Sequence, residues 1–180
     1  AYDRWGNETH YNPQDEESPL LVVGANERLE YIAGNFTNQD NGEIFLLTAN
    51  GKYIAPQMLE GLLTVDPLFE QVAIIADGYK FVSALISPNW EVLRREAAER
   101  GVSRDLSEEE LSKQHEVHRL VMAHVEAALS SVAQYEKVKK FHLMTTPFTL
   151  ESGELTNTLK LRRKVVAEHY ASEIAHMYEE

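Results

Sequence analysis

Lys160, Arg162, Arg163 and Lys164 set four cations within five positions, directly after Thr156, Asn157 and Thr158. Threonine and asparagine are capping and turn residues. Val166, Tyr170, Ile174 and Met177 then follow on one stripe, so the spacing predicts a helix from about Leu161 to Tyr178. Lys160 falls at the mouth of that helix, on its loop side. A helix N-terminus is electrically positive and disfavours cations. Four of them together imply an anion nearby, or else a solvated basic turn, and composition leaves both open.

Other residue types offer less chemistry. His115 and His118 lie three apart with Glu116 between them, but a helical pair without a third ligand does not make a metal site, so none is expected. The chain has no cysteine, hence no disulfide framework and no thiol chemistry. No nucleophile triad, phosphate-binding glycine loop or zinc pattern stands out. Net charge is −12, which repels phosphate backbones and argues against nucleic acid as a partner. The sign is uneven: seven of the 17 basic residues fall between Lys137 and Lys164, as a local anion site would require. No apolar run approaches the ~18 residues of a transmembrane segment, and the N-terminus shows no signal-peptide pattern. The expected location is cytoplasmic.

The elements that must carry these residues are legible from pattern. Ala1 to Pro19 is polar and acidic and reads as an arm, with short strands predicted at Leu20 to Val23 and Leu29 to Ala33. Gly34 to Gly42, dense in Asn, Asp and Gly, reads as a loop. Ile44 to Thr48 is a strand, Asn50-Gly51 a turn, and Pro56 the first residue of a helix that ends at Asp66-Pro67. Gln71 to Ala76 and Lys80 to Ser87 form a hairpin across Asp77-Gly78, at the centre of the sheet. Trp90 to Arg100 is helical with Gly101 closing it. Ser107 and Glu110 form a capping box opening a long helix to about Ala133, with Val117, Val121, Val125 and Leu129 on one stripe. Phe141 to Met144 is a last strand. The class is α+β: a small mixed or antiparallel sheet with a β-hairpin, flanked by helices that include a long one and a C-terminal one.

Two stretches together also resemble a known family. Leu155, Thr156, Thr158, Leu159, Lys160, Leu161, Arg162, Arg163, Lys164, Val165 and Val166 resemble the C-terminal lysine motif of AMP-forming acyl-CoA synthetases, in their long-chain fatty acid branch. Thr48 to Gln57, with Gly51-Lys52-Tyr53 at its centre, resembles a second motif about a hundred residues upstream. Glu60 stands where that family carries a glutamate. The resemblance runs from about Asp40 to the end and implies a fatty acid–CoA ligase. Such an enzyme first joins a carboxylate to the α-phosphorus of ATP, then passes the acyl group to the thiol of CoA. Both reactants of the first step are anions, and a lysine with a long stem and a point charge suits their approach; the resemblance makes Lys160 that lysine. It also implies that this domain rotates between the steps and brings the Gly51-Lys52 turn to the CoA path, where a glycine lets a thin ligand approach the backbone. Arg162, Arg163, Lys139 and Lys140 are candidates to meet the CoA phosphates, or else balance an acidic surface.

The pattern departs from the family before Phe45. Asp40 occupies the hinge position, but Asn41 stands where arginine is expected and Glu43-Ile44 replaces lysine-glutamate. Residues 1–39 are an arm or linker without a family match, and 40–180 the C-terminal domain. The family's large N-terminal adenylating domain is the implied partner; it would hold fatty acid, ATP and the Mg that accompanies ATP, outside this stretch. A non-catalytic binding or regulatory module that keeps the fold is the alternative.

Overall fold

A computed structural model describes residues 29–32, 35–38 and 43–179. The chain opens with strands β1 (Leu29–Ile32), β2 (Asn35–Asn38), β3 (Glu43–Leu47) and β4 (Tyr53–Ile54), followed by helix α1 (Pro56–Leu63). Strands β5 (Phe69–Ile75) and β6 (Val82–Pro88) come next, then α2 (Trp90–Glu99), α3 (Glu108–Ser112) and α4 (His115–Ala128). Strand β7 (Val138–Leu143) and helices α5 (Arg163–His169) and α6 (Ala171–Tyr178) complete it. One sheet has the order β1-β2-β3-β4, antiparallel throughout, and the other the order β5-β6-β7. In the second, β5 and β6 form the expected antiparallel hairpin while β7 joins β6 in parallel. The class is α+β, with one antiparallel sheet and one of mixed orientation.

Strand β6 is buried at every position, which explains its continuous apolar run. Alternation of side chains sends successive residues to opposite faces. Val72, Ile74, Ala84 and Ile86 pack with Leu59 and Leu63 of α1, Leu93 of α2 and the Val117, Val121 and Val125 stripe of α4. Ala73 and Leu85 face the other way, onto Met144, Phe148, Val166, Ile174 and Met177. The C-terminal helices therefore have a small core of their own against the back of the hairpin.

The ends of the helices follow from their caps. Asn89 accepts hydrogen bonds from the Glu91 and Val92 amides, both at 3.1 Å. At the far end of α2 the Gly101 and Val102 amides return to the Ala98 and Ala97 carbonyls, with φ of +83° at Gly101, a closure that favours glycine.

Three expectations need correction. Asn35–Asn38, inside the predicted loop, is strand β2: pairing between β1 and β3 outweighs the poor strand propensity of asparagine. The long helix is two. The Lys113 and Gln114 amides close back to Glu110 and Leu111, three residues away, which ends the ladder, and the His118 ring takes up the freed Ser112 carbonyl at 2.6 Å. Helix α4 also stops at Ala128, short of Ala133. The last helix is likewise divided at Tyr170, which leaves helical geometry (φ −106°, ψ 26°) and sets its ring edge-on against Phe148. The predicted strand Leu20 to Val23 lies outside the described residues.

Candidate functional site

Lys160 sits on a hydrogen-bonded turn. Leu155 and Leu161 pair as an isolated antiparallel bridge. Between them the Thr156 amide donates to the Lys160 carbonyl at 2.8 Å, the Leu159 amide to the Thr156 carbonyl at 2.8 Å, and the Lys160 amide to Thr156 Oγ1 at 3.1 Å. Closing the turn places Leu159 at φ +59° with its side chain 68% exposed. A non-glycine residue there costs on the order of 1–2 kcal/mol, so the surrounding bonds must hold it. The threonines chosen as capping residues thus shape the turn, and none of them caps the helix.

The approach to the turn is equally tied down. Ser152 and Gly153 are both bonded: the Ser152 amide to Thr149 Oγ1, Ser152 Oγ to Glu154, and the Gly153 amide to the Leu150 carbonyl. Glu154 is 4% exposed and also meets His169 Nδ1 at 3.0 Å. Burial pushes its carboxyl up, but hydrogen bonds from His169, Ser152 and the Thr149 backbone together outweigh that and hold it below the usual range. The Glu154 carbonyl in turn accepts the Arg162 amide at 2.7 Å. Tyr170 beside it is pushed up by burial, then by the charges of Glu154 and Glu173.

Behind Lys160, Arg163 donates from Nη1 and Nη2 to the two carboxylate oxygens of Glu60, both at 2.8 Å, with each side chain 13% exposed. Glu60 Oε1 also accepts the Ile74 amide at 2.9 Å, and so caps the outer edge of β5. Arg163 is therefore structural and unavailable to a soluble phosphate. Its Nε is buried with no partner among the described residues.

Lys160 itself is exposed, and among the described residues nothing pairs with its Nζ. With Glu60, Arg163, Gln71, Phe148 and Thr156 it lines an open cleft of about 550 Å³. One lysine is thus free to move its charge while its own amide and carbonyl are both bonded to Thr156.

The second predicted turn also forms. The Gly51 amide donates to the Thr48 carbonyl at 2.9 Å, the Lys52 amide to Thr48 Oγ1 at 3.0 Å, and Gly51 has φ of +73°. Added bulk at Gly51 would meet nothing within 4 Å, so the backbone there is open to an incoming ligand. Lys52 Nζ lies 5.4 Å over the Tyr135 ring. The turn rests on the Asp77-Gly78 turn, where the Gly78 and Tyr79 backbones bond Leu47 and Ala49. Strand β4 and α1 lead from Gly51 to Glu60, so the two motifs meet through the Glu60–Arg163 pair.

The other candidates separate. Asp40 lies outside the described residues. Lys139 and Lys140 are on β7 and line a different cleft from Lys160. His115 contacts Glu116 and His118 bonds the Ser112 carbonyl, and no group of three metal-binding side chains occurs among the described residues. Sequence reasoning missed Glu154 and His169: a glutamate between Gly153 and Leu155, in a loop, has no periodicity to mark it as buried. It also missed His124, whose two ring nitrogens meet Asp66 at 2.7 Å and Glu96 at 3.0 Å, tying α4 to α2.

The family model for the C-terminal domain of AMP-binding enzymes matches residues 44–180. The long-chain-fatty-acid–CoA ligase FadD15 of Mycobacterium tuberculosis is 33% identical over 176 residues, 98% of this chain and 27% of that protein. Human long-chain-fatty-acid–CoA ligase 6 is 27% identical over 150 residues, 81% of this chain and 21% of that protein. Among solved structures, the adenylation domain of a carboxylate reductase from Mycobacterium chelonae superposes with a TM-score of 0.61 at 23% identity, over 83% of this chain and 23% of that one. That likeness is one of fold. The chain spans about a quarter of the length of these relatives.

Proposed function

The chain belongs to the AMP-binding enzyme C-terminal domain family and is homologous to long-chain fatty acid–CoA ligases, and from that premise we propose that it is the mobile C-terminal domain of such a ligase. In the first step a fatty carboxylate oxygen attacks the α-phosphorus of ATP, and pyrophosphate leaves with the bonding pair. Lys160 supplies the positive charge that lets these anions meet. In the second, the sulfur of CoA, having lost its proton, attacks the acyl carbonyl and AMP leaves. The Gly51-Lys52 turn then lies along the thiol's path. A large adenylating domain holds fatty acid, ATP and its Mg, and Asp40 acts as the hinge between the two domains. The working location is the cytoplasm; no described helix is long and apolar enough to cross a membrane.

The observation that carries this reading is Lys160 Nζ, unpaired among the described residues, on a turn held by three hydrogen bonds from the Thr156, Leu159 and Lys160 amides. A merely solvated lysine would need no strained leucine before it.

The test uses the full-length ligase and assays the two half-reactions separately. Lys160→Ala should slow acyl-adenylate formation by about 10²–10³-fold, the usual loss for one positioned electrostatic group. Thioester formation from supplied acyl-AMP should stay nearly intact. Equal damage to both steps would remove the catalytic role and favour the non-catalytic module that the altered residues around Asn41 suggest. The 180 residues alone should release no fatty-acid-dependent pyrophosphate from ATP.

A further inference from the structure

Among the described residues, Gly51, Gly78, Gly101 and Gly153 have a φ in the left-handed region, as does one residue that is not glycine, Leu159 at +59°. Glycine enters that region without a steric penalty, and asparagine at a reduced one. Leucine has neither exemption. Its side chain is 68% exposed and belongs to neither hydrophobic cluster, so packing within the domain does not offset the cost. The hydrogen bonds that close the turn use the backbones of Thr156, Leu159 and Lys160 and the Thr156 hydroxyl. Glycine or asparagine at 159 would make the same bonds. The turn therefore needs the backbone of this residue and has no need of its side chain. A backbone outlier that nothing local requires points to a use at the site.

What that use is follows from the neighbour. Leu159 and Lys160 border the same cleft, so an exposed isobutyl group stands beside an ammonium on a long stem. Leu155 and Leu161, which close the turn, pack onto the C-terminal core. Of the three leucines here, Leu159 alone is left to meet something outside the domain. An aliphatic carboxylate has the complementary order, an anionic head followed by methylenes. When its head reaches Lys160, the carbons next to the head come within reach of Leu159, and the contact removes apolar surface of both from water.

We infer that Leu159 is a specificity-determining residue of the adenylation step. Its side chain contacts the aliphatic carbons adjoining the reacting carboxylate and selects acids that are apolar there. The inference rests on the ligase reading, in which Lys160 meets that carboxylate. It calls for discrimination near the head of the acid and none at the far end of its chain.

The experiment measures kcat/KM for acyl-adenylate formation by the full-length ligase with dodecanoate, 3-hydroxydodecanoate and octanoate. Ratios between acids within one enzyme do not depend on how much of it is folded. Leu159→Asn keeps a residue that tolerates the left-handed region. It should lower the ratio of dodecanoate to 3-hydroxydodecanoate about 10-fold, the lower end for one methylene in an apolar site. The ratio of dodecanoate to octanoate should not move, and Leu159→Met should keep both ratios at wild type. In the 180-residue chain, Leu159→Asn should raise the urea midpoint, because the strain is relieved. With Lys160→Ala still slowing adenylation, the inference is overturned by any of four results: equal slowing with all three acids, the mark of a contact to the large domain; a shifted ratio of dodecanoate to octanoate; a Leu159→Met variant that behaves like Leu159→Asn; or a midpoint that does not rise. A Lys160→Ala variant that adenylates normally would instead overturn the ligase reading, and this inference with it.

Discussion

Arg163 grips Glu60 through two parallel hydrogen bonds of 2.8 Å across 103 positions of sequence. One carboxylate oxygen also receives the Ile74 amide, so a single glutamate ties α1, the open edge of β5 and the first residue of α5. Bidentate pairing fixes orientation as well as distance. Lys160 is three residues before the arginine. The pair therefore sets where the turn stands relative to the sheet, and leaves the lysine's own stem to move.

Breaking this pair from one side should be costly. Glu60→Gln or Glu60→Ala strands a guanidinium that is mostly buried, and loss of one partner of such a pair costs about 3–5 kcal/mol. Arg163→Lys keeps the charge but loses the fork and should also destabilise. Replacing both with apolar residues, as in Glu60→Leu/Arg163→Met, should recover much of the loss. Urea unfolding of wild type and these four variants measures the losses and the recovery. If the singles fall within about 0.5 kcal/mol of wild type, as surface substitutions do, the pair does not hold the turn.

Gly51 separates backbone strain from ligand access. Gly51→Ala meets no neighbour, so its cost should be only that of a side chain at φ of +73°, about 1–2 kcal/mol. Gly51→Trp adds bulk outward into the path proposed for the thiol. In the full-length ligase it should slow thioester formation and leave adenylation nearly intact, the reverse of Lys160→Ala. Half-reaction rates for both variants, normalised to folded protein, check this.

Much of this was legible because it is local. The hairpin across Asp77-Gly78, the capping box at Ser107 and the valine stripe of α4 each rest on a few neighbouring residues whose preferences agree with the fold. The turn at Gly51 was visible for the same reason. What stayed hidden depends on residues far apart in the chain. Nothing in the run from Leu161 to Tyr178 tells that Tyr170 must leave the helix to meet Phe148, because the apolar spacing continues through it. The role of Arg163 was misjudged because four adjacent cations look alike until one finds a partner 103 residues away. Strand β2 was read as a loop because asparagine is a turn residue by propensity, and only the flanking strands decide otherwise.

Acid should loosen the base of the Lys160 turn. Glu154 titrates below its ordinary value of 4.5 when folded, so the unfolded chain takes up the proton first. The stability it contributes is present above pH 4.5 and is lost as pH falls through the lower, folded value. Glu154→Gln removes this dependence, and should make the urea midpoint fall less steeply with acid below that point than it does in wild type. Parallel acid limbs in the two proteins would show that Glu154 is not held by Ser152 and His169 as described.

At the alkaline end, Tyr178 does the opposite. Its hydroxyl donates to the Phe81 carbonyl at 2.8 Å, lies 3.2 Å from that of Ile75, and accepts from Ser83 Oγ at 2.8 Å, while its ring stacks on Tyr79 at 4.0 Å. Burial, aided by the neighbouring Tyr79, pushes its pKa up to about 12. An unfolded tyrosine ionises near pH 10. Between about pH 10 and 12 the unfolded chain loses the proton and the folded one keeps it, so stability falls as pH rises through that window. Tyr178→Phe leaves the buried Ser83 hydroxyl without its acceptor and should cost about 1–3 kcal/mol at neutral pH. Ultraviolet titration should show a late tyrosinate step in wild type that is missing from the variant. If both proteins titrate alike, α6 is not anchored to the hairpin through this phenol.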